Sequence, residues 1–204
     1  MSEYKLTVMV LSLTNRLPLF IKLMTELEKQ SRGLPVEILY LGDSKSYPIG
    51  QKRNMLQRYA QGEYSCWIDD DDFIPPYYIE EILKAIEHKP DVICWTNKVT
   101  VSGEKMIPHP SVDLCHFSIK YNPEINDTRK KIFYHRPCHV NPTRHDIVMK
   151  FPFKECSYCR ADLDRAKEMV DILKSEYIIE KVMYYHRYGF YNDKGTAPKT
   201  GLVR

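Results

Sequence analysis

"GEYSCWIDDDDF", residues 62–73, decides how the rest of the chain is read. An apolar run ends in four consecutive aspartates, which sets a buried strand directly ahead of a concentrated negative charge. Asp69, Asp70, Asp71 and Asp72 repel one another, so the cluster destabilises a fold unless water or a cation compensates. Two explanations fit these residues alone. One is a solvated acidic loop. The other is a divalent-cation site, because hard cations take carboxylate oxygens and Mg²⁺ or Mn²⁺ then bridges to phosphate.

The flanking sequence bears on the choice. "KLTVMVLSL" (5–13), "PVEILYLGD" (35–43), "YSCWI" (64–68) and "DVICWTNKVTV" (91–101) read as buried strands. Between them, "RLPLFIKLMTELEKQ", "QKRNMLQRYAQG" and "PPYYIEEILKAIEHK" have helical spacing; Gly33 and Gly62 stop the first two, and prolines occupy the first turn of the third. This β-α-β-α-β-α-β alternation predicts an α/β fold with a mainly parallel central sheet flanked by helices. Ligands of such sheets bind beyond the carboxyl ends of the strands. Asn15 and Arg16, then Asp43, then the aspartates all fall at such ends, which a solvated loop does not explain.

On this layout Asp69 and Asp71 reach one ligand from the same side by strand alternation, with Asp70 or Asp72 facing elsewhere. Asp43 accepts hydrogen bonds from a ribose or base, and Lys52 and Arg53 hold a diphosphate by charge-assisted bonds, unless they form a solvated basic face. Beyond residue 100 the alternation weakens into polar, proline-broken sequence. A helix over "DLDRAKEMVDILKSE" and an aromatic, strand-rich "YIIEKVMYYHRYGFY" follow, and the tail from Asn192 reads as mobile. The 204 residues are expected to form one domain, with residues 1–100 binding the nucleotide and 101–204 forming the acceptor and catalytic half.

Composition narrows the class. With 43% hydrophobic residues and a net charge of +3, the chain reads as an ordered globule to which an anionic partner is permitted but not required. No apolar run approaches the ~20 residues of a membrane span. The first residues do not have the pattern of a signal peptide, and the six cysteines read as reduced thiols, so a cytoplasmic location is expected. "CSYC" is the exception. Cys156 and Cys159, with Cys138, His139, Cys115 and His116 upstream, have spacing that would also suit a structural Zn²⁺.

Taken together, "VMVLSLTNR", "VEILYLGD" and "IGQKRNMLQRYAQGEYSCWIDDDDF" resemble the nucleotide-binding half of GT-A glycosyltransferases of the family 2 type. The resemblance is dense over the first half of the chain and thinner over the second. It implies a GT-A fold and a metal-dependent enzyme that moves a sugar from a nucleoside-diphosphate sugar, a UDP-sugar in the first instance, to a hydroxyl. Carried over by position, Asp43 contacts the nucleoside, Asp71 binds Mn²⁺ or Mg²⁺, and Asp69 or Asp70 contacts the ribose. His186, in "MYYHRYG", resembles the late histidine that completes the metal shell, though a histidine packed among aromatics reads the same way.

"CHVNPTRHDIVMKFPF" resembles the segment ahead of the catalytic carboxylate, and "RADLDRAKEM" stands where the family has "GEDxDxA". Arg160 and Ala161 replace its glycine and glutamate, while Asp162 and Asp164 remain. Asp162 inherits the general-base role of the inverting members, against the plainer reading that it caps the helix. The missing glutamate leaves open a catalytically silent nucleotide-sugar-binding module. Compact members of this kind resemble those of phages and bacterial surface-polysaccharide loci, which implies a saccharide or a hydroxymethylated DNA base as acceptor. The basic run Arg129, Lys130, Lys131, Tyr134, His135, Arg136 suits a phosphate backbone in the second case.

Overall fold

The structure, a computed structural model, describes residues 2–101, 107–155 and 160–188. Cys156, Cys159 and the tail from Asn192 lie outside the described residues.

The apolar runs become strands β1 (Leu6–Leu13), β2 (Val36–Asp43), β3 (Tyr64–Asp69) and β4 (Val92–Val101). The periodic segments between them become helices α1 (Leu17–Ser31), α2 (Ile49–Tyr59) and α3 (Tyr78–Ile86). α1 buries Leu23, Met24 and Leu27, the i, i+1, i+4 stripe of a helix laid on a sheet. α3 starts at Tyr78, after Pro75 and Pro76 rather than around them. The Tyr78 amide bonds to the Pro75 carbonyl, so the prolines form the lead-in turn.

Leu6, Val8 and Val10 of β1 are fully buried among Tyr78, Ile79, Ile82, Trp95 and the apolar face of α1. Met9 points the other way, toward Leu56, Trp67 and Phe153. Both faces of β1 are therefore covered, as its near-continuous apolar sequence requires.

The second half of the chain adds short strands to the same sheet: β5 (Ile107–Pro108), β6 (Leu114–Phe117), β7 (Ile132–His135) and β8 (Thr143–Arg144). Helices α4 (His145–Val148) and α5 (Arg160–Val170) and the long strand β9 (Glu176–Tyr188) follow. The described strands make one nine-stranded sheet of order β2-β1-β3-β8-β4-β6-β7, with β5 and β9 both pairing with β4. β1 runs parallel to β2 and β3, and β9 parallel to β4.

Simple alternation would place β4 beside β3. Instead the 139–144 segment wedges between them: the Trp67 amide bonds to His139 O, the Ile93 amide to Pro142 O, and β8 pairs antiparallel with both strands. The parallel core is thus β2-β1-β3, and the sheet beyond it is mixed. The wedge matters for function because it carries His139 to the end of β3.

Two glycines are required by close approach. At Gly50, the second residue of α2, a Cβ would stand 1.9 Å from the Lys154 carbonyl oxygen. At Gly62 it would stand 2.5 Å from the Thr7 amide nitrogen. Neither obstacle is a flexible side chain, so the backbone must move. Gly62→Ala is expected to destabilise the protein by about 1–3 kcal/mol, read as a lower denaturation midpoint in urea at unchanged slope.

Candidate active site

Strand β3 ends at Asp69, and the Asp72 amide closes a turn onto the Asp69 carbonyl. Exposure still alternates through the turn: Asp69 and Asp71 are partly exposed, and Asp70 and Asp72 are buried. This is the division expected from the sequence, with Asp69 and Asp71 on the outer side and Asp70 and Asp72 facing elsewhere.

Asp70 turns inward, 3% exposed, where its carboxylate accepts from Ser12 Oγ (2.8 Å) and Arg16 Nη1 (3.0 Å). Its oxygens are committed to the end of β1 and the following turn, so the ribose contact assigned to it gives way to a structural role. Asp72 is equally buried and accepts from the Tyr184 hydroxyl (2.7 Å) and the Arg187 amide (2.7 Å), with His186 Nδ1 at 3.1 Å. It fastens β9 beside the turn, where Phe73 and Tyr185 exchange backbone bonds.

Asp71 keeps an outer position, 18% exposed, with Arg16 Nη1 at 3.1 Å. Burial and the neighbouring charges of Asp72, Asp69 and Asp70 outweigh Arg16 and push its carboxyl up to about 7. His186 shows the complementary effect. Burial opposes its protonation, but Asp72, Asp69 and Asp71 raise it to about 9.

The nucleotide side of the site lies at the end of β2. Asp43 Oδ1 is 2.6 Å from Lys52 Nζ, and Oδ2 accepts from the Ser46 amide at 2.9 Å. Burial would raise this carboxyl, but Lys52 and the backbone amides hold it below its ordinary value. Lys52, expected to reach a diphosphate, is instead the partner of Asp43. Asn15 is exposed in the 3-10 turn Thr14–Arg16 that follows β1.

α2 has an unusual buried face, since Lys52, Arg53 and Gln57 are all inaccessible. Buried charges must be paired. Arg53 does this by bridging two halves of the chain, with Nη2 3.3 Å from Asp69 Oδ1 and Nη1 hydrogen-bonded to Asp162 Oδ1. Its guanidinium also lies against the rings of Trp67 and Phe153, 5.6 and 5.2 Å from their centroids. Arg53 was expected to hold a diphosphate; the structure turns it inward onto carboxylates. The next residue, Asn54, clamps Phe153 through two 2.8 Å bonds to its backbone amide and carbonyl. Gln57 bonds to Val148 O and accepts from Arg165. The "RN" pair thus works as a latch between α2 and the segment leading into α5.

Asp162, in the first turn of α5, is thereby brought to the aspartate turn with only 14% of its side chain exposed. Asp164 points outward, 38% exposed, 3.6 Å from Lys154. His139 lies between the two site carboxylates, its Nε2 3.5 Å from Asp69 Oδ2 and its Nδ1 3.7 Å from Asp162 Oδ2. Burial and the nearby Arg53 keep this imidazole's pKa below its ordinary value. Burial opposes the ionisation of Asp69, yet His139, Arg53 and His186 hold it well below the usual carboxylate range.

Sequence reading considered His139 only as a zinc ligand and did not single out Tyr184, Arg187 or the anchoring role of Asp72. The one signal was a histidine inside the apolar "CHVNP", which has neither strand nor helix period. Of the residues considered with Cys156 and Cys159 for zinc, His116 Nδ1 lies 2.7 Å from Thr96 Oγ1, and Cys115 and Cys138 are free thiols pushed up by burial to about 12 and about 11. In the basic run, Lys130 pairs with Asp127, and Arg136 stacks on Tyr121 at 4.6 Å.

Comparison with known proteins identifies the family and the fold. The sequence model of Glycosyl transferase family 2 matches residues 24–151, more than half of the chain. No curated protein sequence matches significantly. Among solved structures, S. aureus TarS 1–349 in complex with UDP-GlcNAc superposes with a TM-score of 0.65 at 17% identity, covering 96% of this chain and 62% of that one. The same protein in complex with UDP gives 0.60, and longer TarS gives 0.62 with only 37% of its length covered. The chain therefore spans less than two thirds of the relatives it matches, and at such identities the likeness establishes a shared GT-A fold.

Proposed function

This chain belongs to glycosyl transferase family 2, and from that premise we propose that it transfers a sugar from a UDP-sugar to an acceptor hydroxyl with inversion at the anomeric carbon. The observation that carries the reading is the meeting of Asp162, from the second half of the chain, with Asp69 at the end of β3 through Arg53. A carboxylate beside the donor site is what deprotonating an acceptor hydroxyl needs.

Asp43 reads the nucleoside, with Lys52 beside it. Asp69, Asn15 and Arg16 face the sugar and diphosphate. Asp71 and, once it gives up its proton, His186 would hold Mn²⁺ or Mg²⁺. Among the described residues no three His, Cys, Asp or Glu side chains are gathered as a metal cage. That suits ions held by one or two carboxylates together with substrate phosphates. When bound, the ion neutralises charge developing on the leaving diphosphate. Asp162 takes the proton of the acceptor hydroxyl as that oxygen attacks the anomeric carbon, and the bond to the diphosphate breaks on the opposite face. The acceptor is a saccharide or a hydroxymethylated DNA base. No helix of the described residues is long and apolar enough to cross a membrane. The free thiols Cys66, Cys94, Cys115 and Cys138 support a reducing, cytoplasmic setting.

The test is nucleoside-diphosphate release from a panel of UDP- and GDP-sugars with Mn²⁺. It is run with saccharide acceptors and with an oligonucleotide carrying 5-hydroxymethyl pyrimidines. Release from a UDP-sugar, stimulated by one acceptor class, is expected. Nucleotide binding without release from any donor would identify a silent binding module instead.

A further inference from the structure

We infer that His139 is a positioning residue that orients Asp162 toward the acceptor, an inference that rests on the general-base reading of Asp162. Four side chains from four separate stretches close a ring: Asp69 from β3, Arg53 from α2, Asp162 from α5 and His139 from the wedge. Each carboxylate presents one oxygen to Arg53 and the other to His139. Arg53 Nη2 lies 3.3 Å from Asp69 Oδ1, and Arg53 Nη1 bonds to Asp162 Oδ1. His139 Nε2 lies 3.5 Å from Asp69 Oδ2, and Nδ1 lies 3.7 Å from Asp162 Oδ2.

Both imidazole nitrogens are inaccessible and have no partner within hydrogen-bond distance, so the two carboxylates are what they address. The backbone of His139 is tied to β3. The His139 carbonyl accepts the Trp67 amide of β3, and the side chain lines a cavity of about 10 Å³ with Trp67, Gln57 and Arg165. Such a volume is at the limit for one water.

A neutral imidazole has a single N–H, so it donates to Asp69 or to Asp162 but not to both. Arg53 occupies Asp162 Oδ1, and His139 faces Oδ2, so a bond from His139 orients the one oxygen that Arg53 leaves and that keeps a lone pair for the acceptor proton. When a donor engages Asp69, the Nε2–H tautomer loses its acceptor and the Nδ1–H tautomer, which donates to Asp162, is favoured, which couples donor occupancy to the orientation of the base.

The two ring nitrogens can be separated by substitution. His139→Asn retains a polar atom near the position of Nδ1, facing Asp162; His139→Gln retains one near Nε2, facing Asp69. His139→Ala is expected to lower kcat by about 10²-fold, the cost of misplacing a reacting group by about 1 Å. Affinity for UDP should be unchanged, with His139→Asn recovering part of the rate and His139→Gln little of it.

Parallel loss of UDP affinity, rate and Tm in all three variants would show a merely structural histidine and overturn the assignment. Unchanged kcat in His139→Ala alongside an inactive Asp162→Asn would overturn it while leaving the general-base reading intact. Full activity of Asp162→Asn would remove that reading and this inference together.

Discussion

Asp162→Asn should bind UDP and Mn²⁺ as the native protein does while transfer falls by ~10²–10⁴-fold, the usual contribution of a positioned general base. Asparagine keeps the size of the side chain and an oxygen able to accept from Arg53, so the latch between α2 and α5 is retained. Arg53 also keeps its 3.3 Å contact with Asp69, so no buried guanidinium is left without a carboxylate. Single-turnover transfer with donor affinity measured in parallel separates the possibilities. If Asp162 served only the first turn of α5, Tm would fall and transfer would fall only with the folded fraction. Asp164→Asn is the control. That carboxylate is outward, near Lys154, and its loss should leave transfer nearly intact. A larger defect at Asp164 would place the base two residues further on.

The second large effect is expected at Asp71. Asp71→Ala should abolish the Mn²⁺-dependent part of UDP binding, read as titrations with and without EDTA that become identical. Native protein whose UDP affinity ignored EDTA would remove the metal assignment. The carboxyl also predicts a pH dependence. Its folded value of about 7 lies above the ordinary 3.8, so the folded state holds a proton that the unfolded chain has released. Its contribution to stability is therefore full below about pH 4 and is lost as pH rises through 7. A cation needs the deprotonated carboxylate, so binding releases the proton and strengthens with pH. The Mn²⁺-induced rise in Tm should accordingly be larger at pH 8 than at pH 6, and this difference should vanish in Asp71→Ala.

How much of this was legible in the sequence follows from the range of the interactions involved. β1 to β4 and α1 to α3 could be read because their periodicity is local. A strand buried on both faces needs an unbroken apolar run, and a helix on a sheet needs its stripe. The strand-end placement of Asp43, Asp69 and Asp71 followed from the same periodicity, and family resemblance supplied Asp162.

What the aspartates do individually was not legible. Strand parity separates Asp69 and Asp71 from Asp70 and Asp72, and the burial follows it, but parity cannot name Ser12, Arg16, Tyr184 and Arg187 as the groups that hold the buried pair. Nor could local pattern show that Lys52 and Arg53 face inward, since their carboxylate partners lie nine to 109 residues away.

Sequence by itself therefore determined the family, the order of the main elements and the strand end at which the chemistry sits. Tertiary structure alone decided the antiparallel wedge between β3 and β4, the partners of the buried Asp70 and Asp72, and the ring of Asp69, Arg53, Asp162 and His139. The physical reason is that a buried charge is settled by whichever partner the whole fold brings within about 4 Å, and that partner leaves no periodic trace in the chain.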